Sequence, residues 1–134
     1  MSPTVSRLKR RADFLKIARK GRKWAAPGVV LQAFKRDDGT PEGIRVGFTV
    51  SRKVGNAVVR NRARRRLRAA AEQVLPERGK AGYDYVLIGR QGTLGRTFPA
   101  LIGDLNRALE RVEQEKSGGG SGHRGQRRRE NAEN

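Results

Sequence analysis

The chain has 134 residues, with 31 Lys plus Arg against 13 Asp plus Glu, no cysteine and a single histidine, His123. That length suits one domain of roughly 100–120 residues and a tail, while the missing thiols and lone imidazole exclude disulfides, zinc sites built on Cys or His, and most general-base chemistry. A net charge of +18 attracts polyanions, with nucleic acid the first candidate, through release of condensed counterions.

Taken in chain order, Arg11 to Lys20 is helix-permissive. Phe14, Leu15, Ile17 and Ala18 are its apolar residues, and Gly21 ends it. Val29 to Phe34 reads as a strand. Asp37 to Gly43 is dense in turn formers. Ile44, Val46, Phe48 and Val50 then alternate with Arg45, Gly47 and Thr49 in a second strand. The two strands are expected to form a hairpin with one buried face.

Asn56 is a plausible N-cap for a helix to about Leu75, with Pro76 and Gly79 beyond its end. Gly55 offers an unusual backbone angle before that helix, whose N-terminus can receive an anion. Tyr83 to Gly89 reads as a buried strand. Thr97 caps a last helix to about Lys116, with Leu101, Leu105, Ala108, Leu109 and Val112 as its apolar stripe. The order α-β-β-(β)-α-β-α predicts an α/β (α+β) two-layer sandwich on one small sheet. Residues 1–116 form the domain. Residues 117–134 are expected to be a disordered Gly/Ser/Arg-rich tail. The GxGxxG match from Gly120 to Gly125 in that tail follows no strand and is treated as accidental.

No stretch approaches the ~18 apolar residues of a membrane helix. No secretory leader is visible at Met1 to Val5, and no segment joins a broad apolar face to a basic one. A cytoplasmic chain without membrane attachment is expected.

Function concentrates in Ser51 to Arg68, which holds eight basic residues and no acid. On a helix, Val59, Ala63, Leu67, Ala70 and Val74 make one apolar stripe. Asn61, Arg65 and Arg68 lie opposite it, Arg62 and Arg64 to either side of them, and Arg60 and Arg66 along the apolar edge. Like charges at i and i+4, such as Arg60/Arg64 and Arg62/Arg66, oppose folding. A bound anion offsets them. Arginine's planar fork suits phosphate oxygens and stacks on bases. The bland reading is a solvated helix face, but such faces usually mix Glu with Lys. Composition alone also admits a ribosomal protein or a ribosome-assembly factor. A protein-only nuclease would need grouped carboxylates, and the densest acids, Asp37, Asp38 and Glu42, fall in a turn.

The run Ser51-Arg52-Lys53-Val54-Gly55-Asn56-Ala57-Val58-Val59-Arg60-Asn61-Arg62, followed by Arg65, Leu67 and Arg68, closely resembles the bacterial ribonuclease P protein component, whose hallmark is an Arg-Asn-Arg triplet. Arg7-Leu8-Lys9 with Asp13-Phe14 resembles the family's N-terminal helix. Arg45 to Ser51 resembles its central strand, and Asp84 to Ile88 with Arg90 its later strand. The resemblance covers about residues 7–112. It implies a left-handed βαβ crossover through the triplet helix. It also implies a catalytic RNA subunit that removes the 5′ leader of precursor tRNA using Mg2+ bound mainly by that RNA. The protein then holds no catalytic residue and no metal of its own, and needs no obligate protein partner.

By the same resemblance, Arg52, Lys53, Asn56, Arg60, Asn61, Arg62, Arg65, Arg66 and Arg68 face the RNA. Phe14, Ala18, Val30, Gln32 and Phe34 line the leader cleft. Ala18 and Gln32 stand where many members carry aromatics, so stacking on the leader should be weaker here. Phe14 has core packing as its alternative role.

Overall fold

The computed structural model describes residues 4–37 and 43–118, with side chains to residue 113. Its elements are β1 (Val5–Arg7), α1 (Arg11–Lys20), β2 (Arg22–Ala25), β3 (Val29–Lys35), β4 (Ile44–Val50), α2 (Ala57–Arg78), β5 (Tyr83–Gly89), α3 (Gln91–Gly95) and α4 (Phe98–Gly118). A short 3-10 turn, Arg52–Val54, joins β4 to α2. The strands form one open sheet in the order β1-β4-β5-β3-β2. β4 is parallel to both β1 and β5, and β3 is antiparallel to both β2 and β5.

One sheet face carries most of the core. Val29, Leu31, Ala33, Ile44, Val46, Val50, Tyr85 and Leu87 pack there with residues of α2 and α4. Ala63, Leu67, Ala70 and Val74 of α2 are buried as the stripe requires, joined by Ala71 and Leu75. All five stripe residues of α4 are buried as well. Each fully buried Leu contributes roughly 1.5–3 kcal/mol through removal from water. The α4 cap is the expected one: Ala100 N–H donates to the Thr97 hydroxyl at 3.3 Å. The opposite face holds a smaller cluster of Leu8, Ile17 and Val86, with Phe14, Phe34 and Ile88 around it. α1 lies over this face. Only Ile17 of that helix is buried. Leu15 is 50% exposed.

The structure corrects several expectations. β3 and β4 are not a hairpin, because β5 lies between them. β5 is buried on both faces at Tyr85, Val86 and Leu87. A strand of that kind belongs in the middle of a sheet. Much of the turn-rich segment, residues 38–42, lies outside the described residues. Arg7, Leu8 and Lys9 precede α1; Arg7 closes β1, and Leu8 donates its N–H to the Val46 carbonyl at 2.9 Å. α2 passes through Pro76 and ends at Arg78. A proline removes one backbone donor, yet the next turn is kept because Gly79 N–H reaches the Leu75 carbonyl at 2.8 Å. The short edges β1 and β2, the 3-10 turn and α3 escaped the sequence reading. α4 extends to Gly118, into the start of the expected tail, and residues 119–134 lie outside the described part.

Gly47 fixes how α1 sits. A Cβ there would collide with the Phe14 ring. Phe14 is half-buried above the strand for that reason. Gly47→Ala is expected to displace the ring and cost about 1–3 kcal/mol through overpacking. A urea unfolding curve checks this. An unchanged midpoint would mean that α1 moves freely enough to absorb a methyl group.

Candidate nucleic-acid interface

The turn before α2 is built from local polar contacts. The Ser51 hydroxyl accepts from Lys53 N–H at 3.3 Å. Asn56 is the N-cap, its carbonyl oxygen accepting from Val59 N–H at 3.0 Å. Gly55 departs from expectation. Its φ of 160° is extended backbone, and the need for glycine is steric. A Cβ there would stand 2.7 Å from a Val59 methyl.

The helix that follows has no acid in its first turn. The positive end of the helix dipole is thus met by further positive charge, at Arg60. Asn61, Arg62 and Arg65 are exposed, as are Arg52, Lys53 and Asn56 in and after the turn. Val58 beside them is 67% exposed. Arg64 donates to the Asn61 side chain at 2.7 Å. Arg60 is half-buried and donates to the Gly55 carbonyl at 3.0 Å, tying the helix back to the turn. Arg66, on the apolar edge as expected, donates to the Arg96 carbonyl. Arg68 is half-buried instead of opposite the stripe. The unforeseen edge strand β1 stands on that side.

Among the described residues, none of Arg52, Lys53, Arg60, Arg62, Arg64, Arg65, Arg66 and Arg68 is ion-paired to an acid. Most of the described acids are taken up elsewhere. Asp84 pairs with Arg36 at 2.9 Å and with Arg45 at 2.6 Å. Asp104 pairs with Arg96 at 2.9 Å. Arg78 and Lys80 meet Glu110 and Glu113. Lys16 holds Asp37 at 3.1 Å, and that hydrogen bond together with the lysine's charge keeps the carboxyl below its ordinary pKa. The start of α2 therefore carries cationic charge without a counter-charge among the described residues.

A second region lies on the face under α1. Val30, Gln32 and Phe34 alternate along β3 on that side. Val30 and Phe34 are half-buried, and Gln32 is 8% exposed. Lys16 sits over the Phe34 ring at 5.3 Å. Phe14 stands on the same face, and Ala18 is exposed on α1. Phe14 therefore packs against this face beside the half-buried Phe34 ring.

Beside the turn before α2 lies an open cavity of about 730 Å³, lined by Ala26, Pro27, Lys53, Val54, Arg90 and Gln91 among others. It lies at the carboxyl ends of the parallel strands β4 and β5, where open sheets commonly bind ligands. Arg90 donates to the Ala26 carbonyl at 2.7 Å, and the Gln91 amide reaches the Lys53 carbonyl at 3.4 Å. The sequence reading missed this seam, because α3 is too short to show a periodicity.

Residues 2–113 match the family model described as Ribonuclease P. The "Ribonuclease P protein component" of Gluconacetobacter diazotrophicus is 60% identical over 112 residues, covering 84% of this chain and 95% of that one. That of Paramagnetospirillum magneticum is 56% identical over 114 residues, covering 84% and 86%. Among solved structures, the Staphylococcus aureus RNase P protein superposes with a TM-score of 0.65 at 30% identity, over 78% of this chain and 92% of that one. The Thermotoga maritima RNase P protein gives 0.63 at 29%, over 78% and 96%.

Proposed function

The chain belongs to the ribonuclease P protein component family, and on that footing we propose that it binds the catalytic RNA of the ribonuclease P holoenzyme and the 5′ leader of precursor tRNA. The holoenzyme is an endoribonuclease, and the chain's part is to assist removal of the leader. The observation that supports the reading is the row of arginines on α2 that no acid pairs with among the described residues. Exposed Arg52, Lys53, Arg62 and Arg65 engage phosphates of the catalytic RNA, with Asn56 and Asn61 as hydrogen-bonding neighbours. Half-buried Arg60, Arg66 and Arg68 border the same face.

The leader lies along the strip of Phe14, Val30, Gln32 and Phe34, with Ala18 at its rim. Two rings on that strip can stack on bases. Lys16 above Phe34 adds a cation beside the sugar–phosphate chain. Gln32 and Ala18 offer no ring, so hydrogen bonding and charge carry more of the leader contact.

Among the described residues, no three acidic or histidine side chains are grouped to hold a metal ion. In the proposed reading Mg2+ is held mainly by the RNA, and bond cleavage is the RNA's chemistry. The chain contributes position and charge: its guanidinium groups offset the repulsion between RNA and substrate backbones that would otherwise demand more cation. No described helix is long and apolar enough to cross a membrane, and the proposed site of action is the cytoplasm.

Reconstitution tests this. With its RNA, the protein is expected to lower the Mg2+ needed for half-maximal cleavage of precursor tRNA several-fold. An RNA that needs the same Mg2+ with and without the protein would refute the proposal and favour a ribosomal or assembly role.

A further inference from the structure

We infer that a second pocket, between β1 and the middle of α2, receives one unstacked base of the bound RNA; this rests on the RNA-binding reading above. The pocket measures about 270 Å³ and its exposed lining is mainly apolar. Pockets for drug-sized ligands begin near ~300 Å³, so this one suits a single flat ring system. Val5, Phe48 and Ala71 supply apolar wall. Phe48 is half-buried, and the Arg7 guanidinium lies over its ring at 5.6 Å. A base can stack against the same arginine–aromatic pair.

The polar groups around it can meet a base edge. Arg68 lines the pocket, and its buried Nε has no hydrogen-bond partner. Glu72, one turn further along α2, is exposed and unpaired among the described residues. It is the first acid along α2 after the acid-free start. A carboxylate repels a phosphate but accepts from an exocyclic amino group, while guanidinium donates to ring nitrogen or carbonyl. Adenine, guanine and cytosine present that combination. The pocket is also continuous with the cationic face, since Arg68 lies one turn beyond Arg64 on the same helix. An RNA docked on α2 brings its bases within reach.

The test is equilibrium binding of the full chain to the catalytic RNA over a range of salt. Phe48→Leu keeps an apolar side chain and removes the ring. It is expected to weaken binding about 10-fold, in the range for loss of one base–aromatic stack, with the log–log salt slope unchanged, because no phosphate contact is lost. Unchanged affinity, or a loss accompanied by a shallower slope, overturns the base assignment. Wild-type protein that fails to bind this RNA is a different failure, that of the RNA-binding reading itself. Where thermal melting shows Phe48→Leu unfolded, the wild-type chain is titrated with AMP and with ribose 5-phosphate. Amide shifts at Arg7, Phe48 and Glu72 with AMP alone support the pocket. Shifts common to both, or none, overturn it. An apolar side chain of a protein partner as the true occupant would give neither the AMP-only shifts nor the RNA affinity loss.

Discussion

Asp84→Ala is expected to lower the free energy of unfolding by about 3–5 kcal/mol, the range for breaking a buried ion pair by removing one partner. Asp84 and Arg36 leave only 3% and 5% of their side chains exposed and meet at 2.9 Å. Arg45 approaches the same carboxylate through two nitrogens, at 2.8 and 2.6 Å. Two guanidinium groups thus share one buried anion, in a chain whose net charge is +18. Without the carboxylate, Arg36 still meets the Tyr83 and Gly43 carbonyls, both at 3.1 Å. Those oxygens satisfy hydrogen bonds but do not balance the charge. Domains of this size have only about 5–15 kcal/mol in hand, so the variant should stand near the limit of folding. Asp84→Asn retains an acceptor and should lose roughly half as much. Urea midpoints for the two variants give the measurement. A loss below about 1 kcal/mol for the alanine variant would mean that water reaches Arg36 and that the pair is not buried in solution.

That carboxylate also shows where sequence reasoning stops. The helices were legible because Ala63, Leu67, Ala70 and Val74, and likewise Leu101, Leu105 and Leu109, repeat at helical spacing and must share one buried face. β5 was legible as a near-continuous apolar run. An acid within such a run is a signal of its own, since a buried Asp must be paired. With 31 basic residues available, the sequence does not say which ones pair with it. Strand order was lost for a related reason. β3 and β4 are adjacent in sequence and separated by turn formers, which is also how a hairpin reads. What distinguishes the two arrangements is that β5 needs cover on both faces, a property of the whole sheet. β1 and β2 are too short for alternation to register.

The candidate interface divides in the same way. Arg62 and Arg65 are exposed because the apolar stripe forces them outward, and the spacing showed that. Arg68 is half-buried because β1 fills the space beside it, and no local pattern announces β1. The N-cap role of Asn56 was legible from residue type and position. The role of Gly55 was not, because it depends on crowding against Val59 one turn ahead.

The variant carrying both Arg62→Ala and Arg65→Ala is expected to bind the catalytic RNA roughly 10²-fold more weakly while keeping its fold. Hydrogen bonds to a charged group contribute about 1.5–3 kcal/mol each, and two at the lower end of that range give this loss. The salt dependence is the sharper readout. Each phosphate contact removed should reduce the magnitude of the log–log slope by about 1, hence by about 2 here. Stability should move the other way or not at all. Both side chains are exposed and neither meets an acid among the described residues, while like charges lie one helical turn away, Arg66 beside Arg62 and Arg68 beside Arg65. Alanine removes that repulsion and is the better helix former. A double variant that melts at or above the wild-type temperature yet binds weakly, with a shallower slope, separates RNA docking from folding. One that binds with wild-type affinity and slope would show that these guanidinium groups face only water. The bare arginine face of α2 would then be a solvated surface, and the docking face of the RNA would have to be sought on another part of the sheet.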